Sequence, residues 1–325
     1  LIQFGSIKLE VGLLMAPLAG LTNFAFRSIC RTTGAEMTVT EMISAAALTH
    51  AKRPKIIDKI LSIMDSEPND RPFCVQLFGA KPDELAEAAG MVAARGAGAV
   101  DLNLGCPVRK VLRQGSGAAL ARDADKAAKA VSAIRNAVAI PVSAKIRTGW
   151  DESESNAVLL SQKLQDAGCE MLIVHARPKS RGFAGPTDLH KLEEICKAVQ
   201  IPVIGNGGIK SVSDAIEMIE KTNCHGIMIG RGALVDPFIF LQTRAMLQNK
   251  PAPPQPTNEM RRELLMAQFE LLERKLGTDS AVSSIRPFLA WASKSKPHAS
   301  AVRRGLSAMK TKESFLESVD LLFNQ

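Results

Sequence analysis

At 325 residues, with 46% hydrophobic and 23% charged residues, the chain has a globular composition and is long enough for one large barrel or two domains. No apolar run approaches the roughly 20 residues of a membrane span, and LIQFGSIKLE at the N-terminus lacks the features of a secretory signal, so a cytoplasmic protein is expected. Six cysteines without a C-x-x-C pair argue against a zinc site or a disulfide framework, and a formal charge of +8 reads either as an anionic partner or as an excess that only keeps the chain soluble.

In chain order, short apolar runs alternate with longer amphipathic ones. Strands are predicted at 13–18 (LLMAPL), 36–42 (EMTVTEM), 73–79 (FCVQLFG), 99–105 (AVDLNLG), 142–147 (VSAKIR), 170–176 (EMLIVHA), 202–208 (PVIGNGG) and 226–232 (GIMIGRG). Helices are predicted at 83–95, 123–138, 155–168, 188–199 and 211–221, the first opening on a favourable N-terminal proline in KPDELAEAA. Apolar strands alternating with helices imply a parallel sheet covered on both faces. Eight such units fit a (β/α)8 TIM barrel over residues 1–247 better than an open doubly wound sheet. Proline-rich NKPAPPQPTNE cannot continue a helix, so residues 248–257 are expected to form a linker. Periodic apolar residues in EMRRELLMAQFELLERKLG and SFLESVDLLF then predict a small all-helical domain over 258–325.

Nearly every predicted strand ends in residues with chemical potential. These are Met15-Ala16-Pro17, Glu41, Gln76, Asn103 with Cys106, Lys145 with Arg147, His175 with Arg177, Asn206-Gly207-Gly208, and Gly230-Arg231. In a barrel these C-terminal ends meet at one mouth, where active sites are built. Gly207, Gly208, Gly230 and Arg231 follow the last two strands, where barrels frequently bind phosphate on glycine-flanked amides. Gln76 offers an amide and Lys145 a cation, a combination suited to a flat heterocycle with imide edges such as reduced flavin. No strand-opening G-x-G-x-x-G with a following acidic residue is present, so a Rossmann nicotinamide site is not supported. Cys106 lies on a Gly-Cys-Pro turn at the mouth, whereas Cys30, Cys74, Cys169, Cys196 and Cys224 read as buried free thiols, and no metal site is expected. Between 281 and 310 the cations Arg286, Lys294, Lys296, Arg303, Arg304 and Lys310 occur without any Asp or Glu. Such a run is either a solvated helix face or an RNA-backbone surface.

The segments LMAPLAGLTNFAFR, VQLFG, DLNLGCPVRKV, GSGAAL, AKIRTGW, VHAR, IPVIGNGGI and IMIGRGAL, taken together, resemble the tRNA-dihydrouridine synthase family, closest to its bacterial B-type branch. The resemblance implies an FMN-binding (β/α)8 barrel followed by a helical tRNA-binding domain. It implies reduction of the C5–C6 double bond of particular uridines in tRNA, with NADPH recharging the flavin. On it, Met15, Ala16, Pro17, Gln76, Lys145, His175, Asn206, Gly207, Gly208, Gly230 and Arg231 match FMN contacts, and Cys106 matches the catalytic acid. Asn103 and Arg147 match residues that hold the target uracil, with Arg177 added as a substrate-binding candidate. Arg286, Lys294, Lys296, Arg303 and Arg304 are the RNA-binding candidates. Three departures stand out: Asn-Gly-Gly for the usual Asn-Gly-Asp, Arg286-Pro287-Phe288 for Arg-Lys-His, and ARPKSRGFAGPTDLH without the usual Arg-Thr pair or Trp.

The chemistry so implied is hydride delivery from flavin N5 to uracil C6 and proton delivery from Cys106 to C5. An acid in that role must hold its proton, which a thiol with a pKa of about 8.5 does unaided. The site is therefore expected neither to depress Cys106 nor to set a charged histidine against its sulfur. Two other readings fit the residues: an FMN barrel of the dihydroorotate dehydrogenase kind acting on a free pyrimidine, and a non-catalytic RNA-binding protein on the same scaffold.

Overall fold

The computed structural model describes residues 1–294 and 296–323. The first element is an antiparallel hairpin, β1 (Ile2–Phe4) and β2 (Ile7–Leu9), that the strand pattern did not reveal. Its alternation places Ile2, Phe4, Ile7 and Leu9 on one buried face. They join Leu14, Met37, Val39, Cys74, Ala99, Met171, Ile173, Ile204 and Met228 in one apolar cluster. These residues come from strands all round the barrel, so the hairpin plugs its floor. Gly5 turns the hairpin at φ +54°, where a Cβ would strike the Pro141 ring.

The barrel strands are β3 (Leu13–Met15), β4 (Met37–Thr38), β5 (Ile43–Ser44), β6 (Cys74–Phe78), β7 (Ala99–Asn103), β8 (Val142–Arg147), β9 (Met171–His175), β10 (Val203–Asn206) and β11 (Gly226–Ile229). They form one parallel sheet in the order β4-β3-β11-β10-β9-β8-β7-β6-β5. A bridge from Val39 to Cys74 closes the ring, so β4 and β5 are two pieces of the second barrel strand. The sequence predicts one strand at 36–42, and the difference has a local cause. The Thr40 hydroxyl accepts the Gln76 amide (3.2 Å), replacing a ladder carbonyl, and Glu41 turns away to accept the Gly20 amide (2.5 Å). The architecture is the expected (β/α)8 barrel.

Helices Pro82–Ala94, Ala124–Ala137, Ala157–Asp166, Leu189–Ala198 and Val212–Thr222 occupy the predicted places. Asp123 and Asp188 cap two of them, and Ser211 with Asp214 forms a capping box on the last. Helix Phe24–Thr32 was hidden by a charge: Arg27, fully buried, interrupts its apolar stripe. That guanidinium bonds Asp70 (2.9 Å) and the carbonyls of Thr22 (2.9 Å) and Asp65 (2.6 Å), so its donors are satisfied without water.

Residues 251–257 carry no helix or strand. Among the described residues four helices follow: Asn258–Leu276, Thr278–Ala292, Ala299–Gly305 and Lys312–Phe323. Phe269 stacks on Phe315 with centroids 4.4 Å apart inside this group, and Phe288 meets Phe26 of the barrel at 4.9 Å. Phe288 is one of the departures in the Arg286-Pro287-Phe288 stretch, and it is buried at the junction with the barrel. No described helix is long and apolar enough to cross a membrane.

Candidate active site

The C-terminal ends of the barrel strands open into a cavity of about 1000 Å³, bounded by Trp291 and Lys294 of the helical part. Fourteen of the sequence-derived candidates line it: Ala16, Pro17, Gln76, Asn103, Cys106, Lys145, Arg147, His175, Arg177, Asn206, Gly207, Gly208, Gly230 and Arg231, joined by the RNA candidate Lys294. Met15 does not. Its side chain is fully buried in the apolar layer outside the barrel, because alternation along β3 turns Leu14 and Ala16 inward and Met15 outward.

Three side chains interlock on the cavity floor. Asn206 Nδ2 donates to the Met228 carbonyl (2.7 Å), which turns Oδ1 toward Lys145 Nζ (2.9 Å) and His175 Nδ1 (3.1 Å). An amide oxygen only accepts, so Nδ1 of His175 carries the hydrogen and Nε2 presents a lone pair, 3.5 Å from Arg177 Nη1. Burial, then the charges of Lys145, Arg147 and Arg177, push His175 down to about 2 against the Asn206 hydrogen bond. Burial, then Arg147, also pulls the Lys145 ammonium down to about 7, with Asp101 opposing.

A neutral His175 has a measurable consequence. Unfolding releases a histidine that protonates near 6.5, whereas the folded one does so only near 2. Below 6.5 the unfolded state binds the extra proton, so stability falls as pH falls. Between pH 7 and 5 this group alone removes about 2 kcal/mol. Nitrogen NMR of labelled protein should show the Nδ1–H form unchanged over that range, and a His175 resonance that titrates near 6.5 would contradict the assignment.

Cys106 sits on a turn built by Asn103. Asn103 Oδ1 accepts the amides of Gly105 (3.1 Å) and Cys106 (2.9 Å), and its Nδ2 donates to Gln76 Oε1 (2.8 Å). The thiol is half-buried, and desolvation raises it above the ordinary thiol value against smaller opposing effects from the Val108 amide and Arg147. Cys106 is therefore a protonated thiol at neutral pH. Arg147 stitches two loops together, donating from Nε to Gly105 (2.7 Å) and from Nη1 to Gly182 (2.8 Å) and Pro178 (3.2 Å). Burial lowers its guanidinium only to about 10, so it stays charged. Its Nη2 remains for a ligand, and the second Nδ2 hydrogen of Asn103 is held only by the weak acceptor Met42 Sδ (3.8 Å).

At the other end, Gly207 (φ +113°) and Gly208 (φ +78°) leave room that a side chain would take. A Cβ on Gly207 would lie 3.3 Å from His175 Nε2, and one on Gly208 would lie 3.1 Å from Thr187 Cγ2. The Asn-Gly-Gly departure therefore lines the cavity with backbone that no side chain covers, buried at Gly207 and partly buried at Gly208. Phe183, which the sequence reading passed over, lies beside this end. Its ring meets His175 edge-on at 5.9 Å and has the guanidinium of Arg147 at 5.5 Å and of Arg231 at 5.2 Å. An aromatic between glycines after the sixth predicted strand, in a chain with only 4% aromatic residues, was the available signal.

The RNA candidates separate. Lys294 is exposed at the cavity rim, with its ammonium over Trp291 (3.3 Å), and Arg303 and Arg304 are exposed. Arg286 and Lys296 must be corrected. Arg286 donates to the Met309 carbonyl and buries its Nε, whereas Lys296 bonds Asn258 (2.8 Å) and covers the Phe323 ring (4.8 Å). Both fasten parts of the helical region to one another. Arg109, Lys110 and Arg113 were missed: all three are exposed just after Cys106 and, among the described residues, have no ion-pair partner.

Residues 14–325 match the family model described as dihydrouridine synthase (Dus). The chain is 34% identical to a probable tRNA-dihydrouridine synthase of Rickettsia bellii, over 95% of this chain and 94% of that one. It is 34% identical to tRNA-dihydrouridine synthase B of Xanthomonas campestris pv. campestris, over 97% and 93%. Among solved structures it is similar to a 6-hydroxypseudooxynicotine amine oxidase from Pseudomonas geniculata N1, with a TM-score of 0.58 at 14% identity over 82% of this chain and 52% of that one. A histamine dehydrogenase from Rhizobium sp. 4-9 gives 0.56 at 12%, over 83% and 50%. That likeness concerns the fold alone, and the chain spans about half the length of those two structures. On the match along nearly its whole length and the identity to curated relatives, this chain belongs to the dihydrouridine synthase family.

Proposed function

We propose that this protein reduces uridine in tRNA to dihydrouridine in the cytoplasm, using FMN recharged by NADPH and Cys106 as the proton donor. The observation that carries the reading is a thiol kept protonated at the mouth of a cavity lined by Lys145, Arg147, Arg177, Lys210, Arg231 and Lys294 and by no Asp or Glu among the described residues. The same residues fit FMN. Gln76, Lys145 and His175 offer an amide, a cation and a lone pair to the edges of a flavin ring, and the bare backbone at Gly207, Gly208 and Gly230 with Arg231 suits its phosphate. When bound, the flavin supplies the hydride. Lys145 supplies the positive charge that favours an anionic ring, and Asn206 aims it. Arg147 Nη2 and the Asn103 hydrogen now on Met42 Sδ would bond a uracil edge, and Cys106 Sγ delivers its proton to C5.

A target uridine must leave its stack to enter the cavity, at a cost of a few kcal/mol. Cations on the rim offset part of this through phosphate contacts. Charge reversal of Arg109, Lys110 and Arg113 together is expected to weaken tRNA binding at least tenfold. It should also flatten the dependence of log K on log salt by about 2, while flavin reduction is unaffected. Filter binding across a salt series measures both.

The free-pyrimidine reading is tested against this one by mixing pre-reduced protein with undermodified tRNA or with free pyrimidines, anaerobically. Rapid flavin reoxidation by tRNA and not by uracil, uridine or orotate is expected. Rapid reoxidation by a free base would replace this proposal with the other.

A further inference from the structure

Asp101 is 1% exposed, lies below the cavity rather than in its lining, and has no part in the chemistry proposed above. It sits at one level of the barrel with Gln76 and Ser143, its direct register partners on β6 and β8. Its two oxygens divide between them: Oδ1 accepts the Ser143 hydroxyl (2.8 Å) and Oδ2 accepts Gln76 Nε2 (2.7 Å). From Gln76 the bonds run on through Oε1 to Asn103 Nδ2, and from Asn103 Oδ1 to the amides of Gly105 and Cys106.

We propose that Asp101 is a positioning residue whose Oδ2 is the acceptor that anchors the far end of this amide relay and thereby holds the Cys106 turn. A carboxamide has nearly the same shape when its oxygen and nitrogen exchange places, so the relay takes its direction from its two ends: the amides of Gly105 and Cys106, which only donate, and an acceptor at residue 101 that faces Gln76. With Oδ2 fixed as acceptor, Gln76 must present Oε1 to Asn103. Asn103 must then present Oδ1 to the two amides. If Gln76 turned over, its nitrogen would face the Asn103 nitrogen. Asn103 would have to turn as well and leave the amides of Gly105 and Cys106 without an acceptor. Burial raises the Asp101 carboxyl to about 6, and a proton taken on Oδ1, toward Ser143, leaves Oδ2 accepting, so the direction survives titration. The role is therefore polarity rather than charge.

The test compares two variants that both lack the charge. In Asp101→Asn the donor-only amides of Gly105 and Cys106 still orient the relay, so the new carboxamide turns its oxygen to Gln76 and its nitrogen to the Ser143 hydroxyl, which turns to accept. In Asp101→Leu the acceptor is gone. Amide hydrogen exchange is measured in the flavin-free protein, which makes this readout independent of the activity proposed above. Gly105 and Cys106 amides should exchange at least tenfold faster in the leucine variant and within threefold of wild type in the asparagine variant, with strand β9 amides unchanged in both. In pre-reduced, flavin-loaded protein, single-turnover uridine reduction should be at least tenfold slower for leucine than for asparagine. That second readout rests on the proposed activity; a wild-type protein inert toward tRNA would end that activity while leaving the exchange result standing. A change in flavin potential common to both variants reports the lost charge beside Lys145 and leaves the comparison intact. Equal exchange at Gly105 and Cys106 in the two variants would overturn the assignment, as would acceleration spread equally over β9. If the leucine variant does not fold, Gln76→Met removes the next link and should accelerate the same two amides; unchanged rates there would overturn it too.

Discussion

Replacement of Cys106 by alanine is expected to slow uridine reduction by about 10²–10⁴-fold, while reduction of bound flavin by NADPH stays within about threefold of wild type. The split follows from geometry. Cys106 lies on the turn that Asn103 builds at the strand ends, whereas Lys145, Asn206 and His175 interlock through their own bonds on the cavity floor. Removing one sulfur leaves that floor in place. The same environment sets a pH dependence. Because burial raises the thiol, transfer to uridine should hold through the neutral range and decline only as pH passes the raised thiol value, since the thiolate has no proton to give. Stopped-flow traces of the two half-reactions, taken across pH, separate these effects. Equal slowing of both half-reactions would assign Cys106 to cofactor binding instead.

Lys145→Met is expected to have the opposite signature. It should slow flavin reduction by about 10²-fold, the usual order for removing one preorganised charge from a developing anion. It should also abolish a proton uptake. In the free cavity burial holds the ammonium at about 7, so above that value it is mostly neutral. An anionic ring placed beside it raises its proton affinity again, so anaerobic binding of reduced FMN at pH 8 should take up protons in wild type and none through this site in the methionine variant. Calorimetric titrations in two buffers of different ionisation enthalpy give the proton count. An unchanged uptake in Lys145→Met would place the anionic edge elsewhere.

Much of the site was legible because barrel chemistry sits at strand ends, and strand ends are where an apolar run meets polar residues. Gln76, Asn103, Lys145, Arg147, His175 and Asn206 each close such a run, and the structure brings them to one cavity. What escaped was hidden by burial pattern or by distance in sequence. Asp101 lies within AVDLN, where one polar residue among apolar ones resembles an ordinary strand, and only the neighbours Gln76 and Ser143 on adjacent strands reveal its bonds. The hairpin Ile2–Leu9 is too short for a periodic signal, and its apolar face becomes meaningful only against the barrel floor. Met15 was misplaced because triplet resemblance does not distinguish the inward residues of a strand from the outward one. Arg286 and Lys296 were misread because a run without acids looks free in sequence, although a carbonyl, an amide oxygen or a ring can occupy a cation as fully as a carboxylate.

The most direct test of the central claim is a map of dihydrouridine in tRNA from cells that lack this protein, complemented with wild type or Cys106→Ala. Mass spectrometry reads the gain of two hydrogens at each uridine. The account predicts that one or more positions revert to uridine on deletion, return with wild type and stay unreduced with Cys106→Ala. A dihydrouridine map unchanged by deletion, or restored in full by Cys106→Ala, would contradict it.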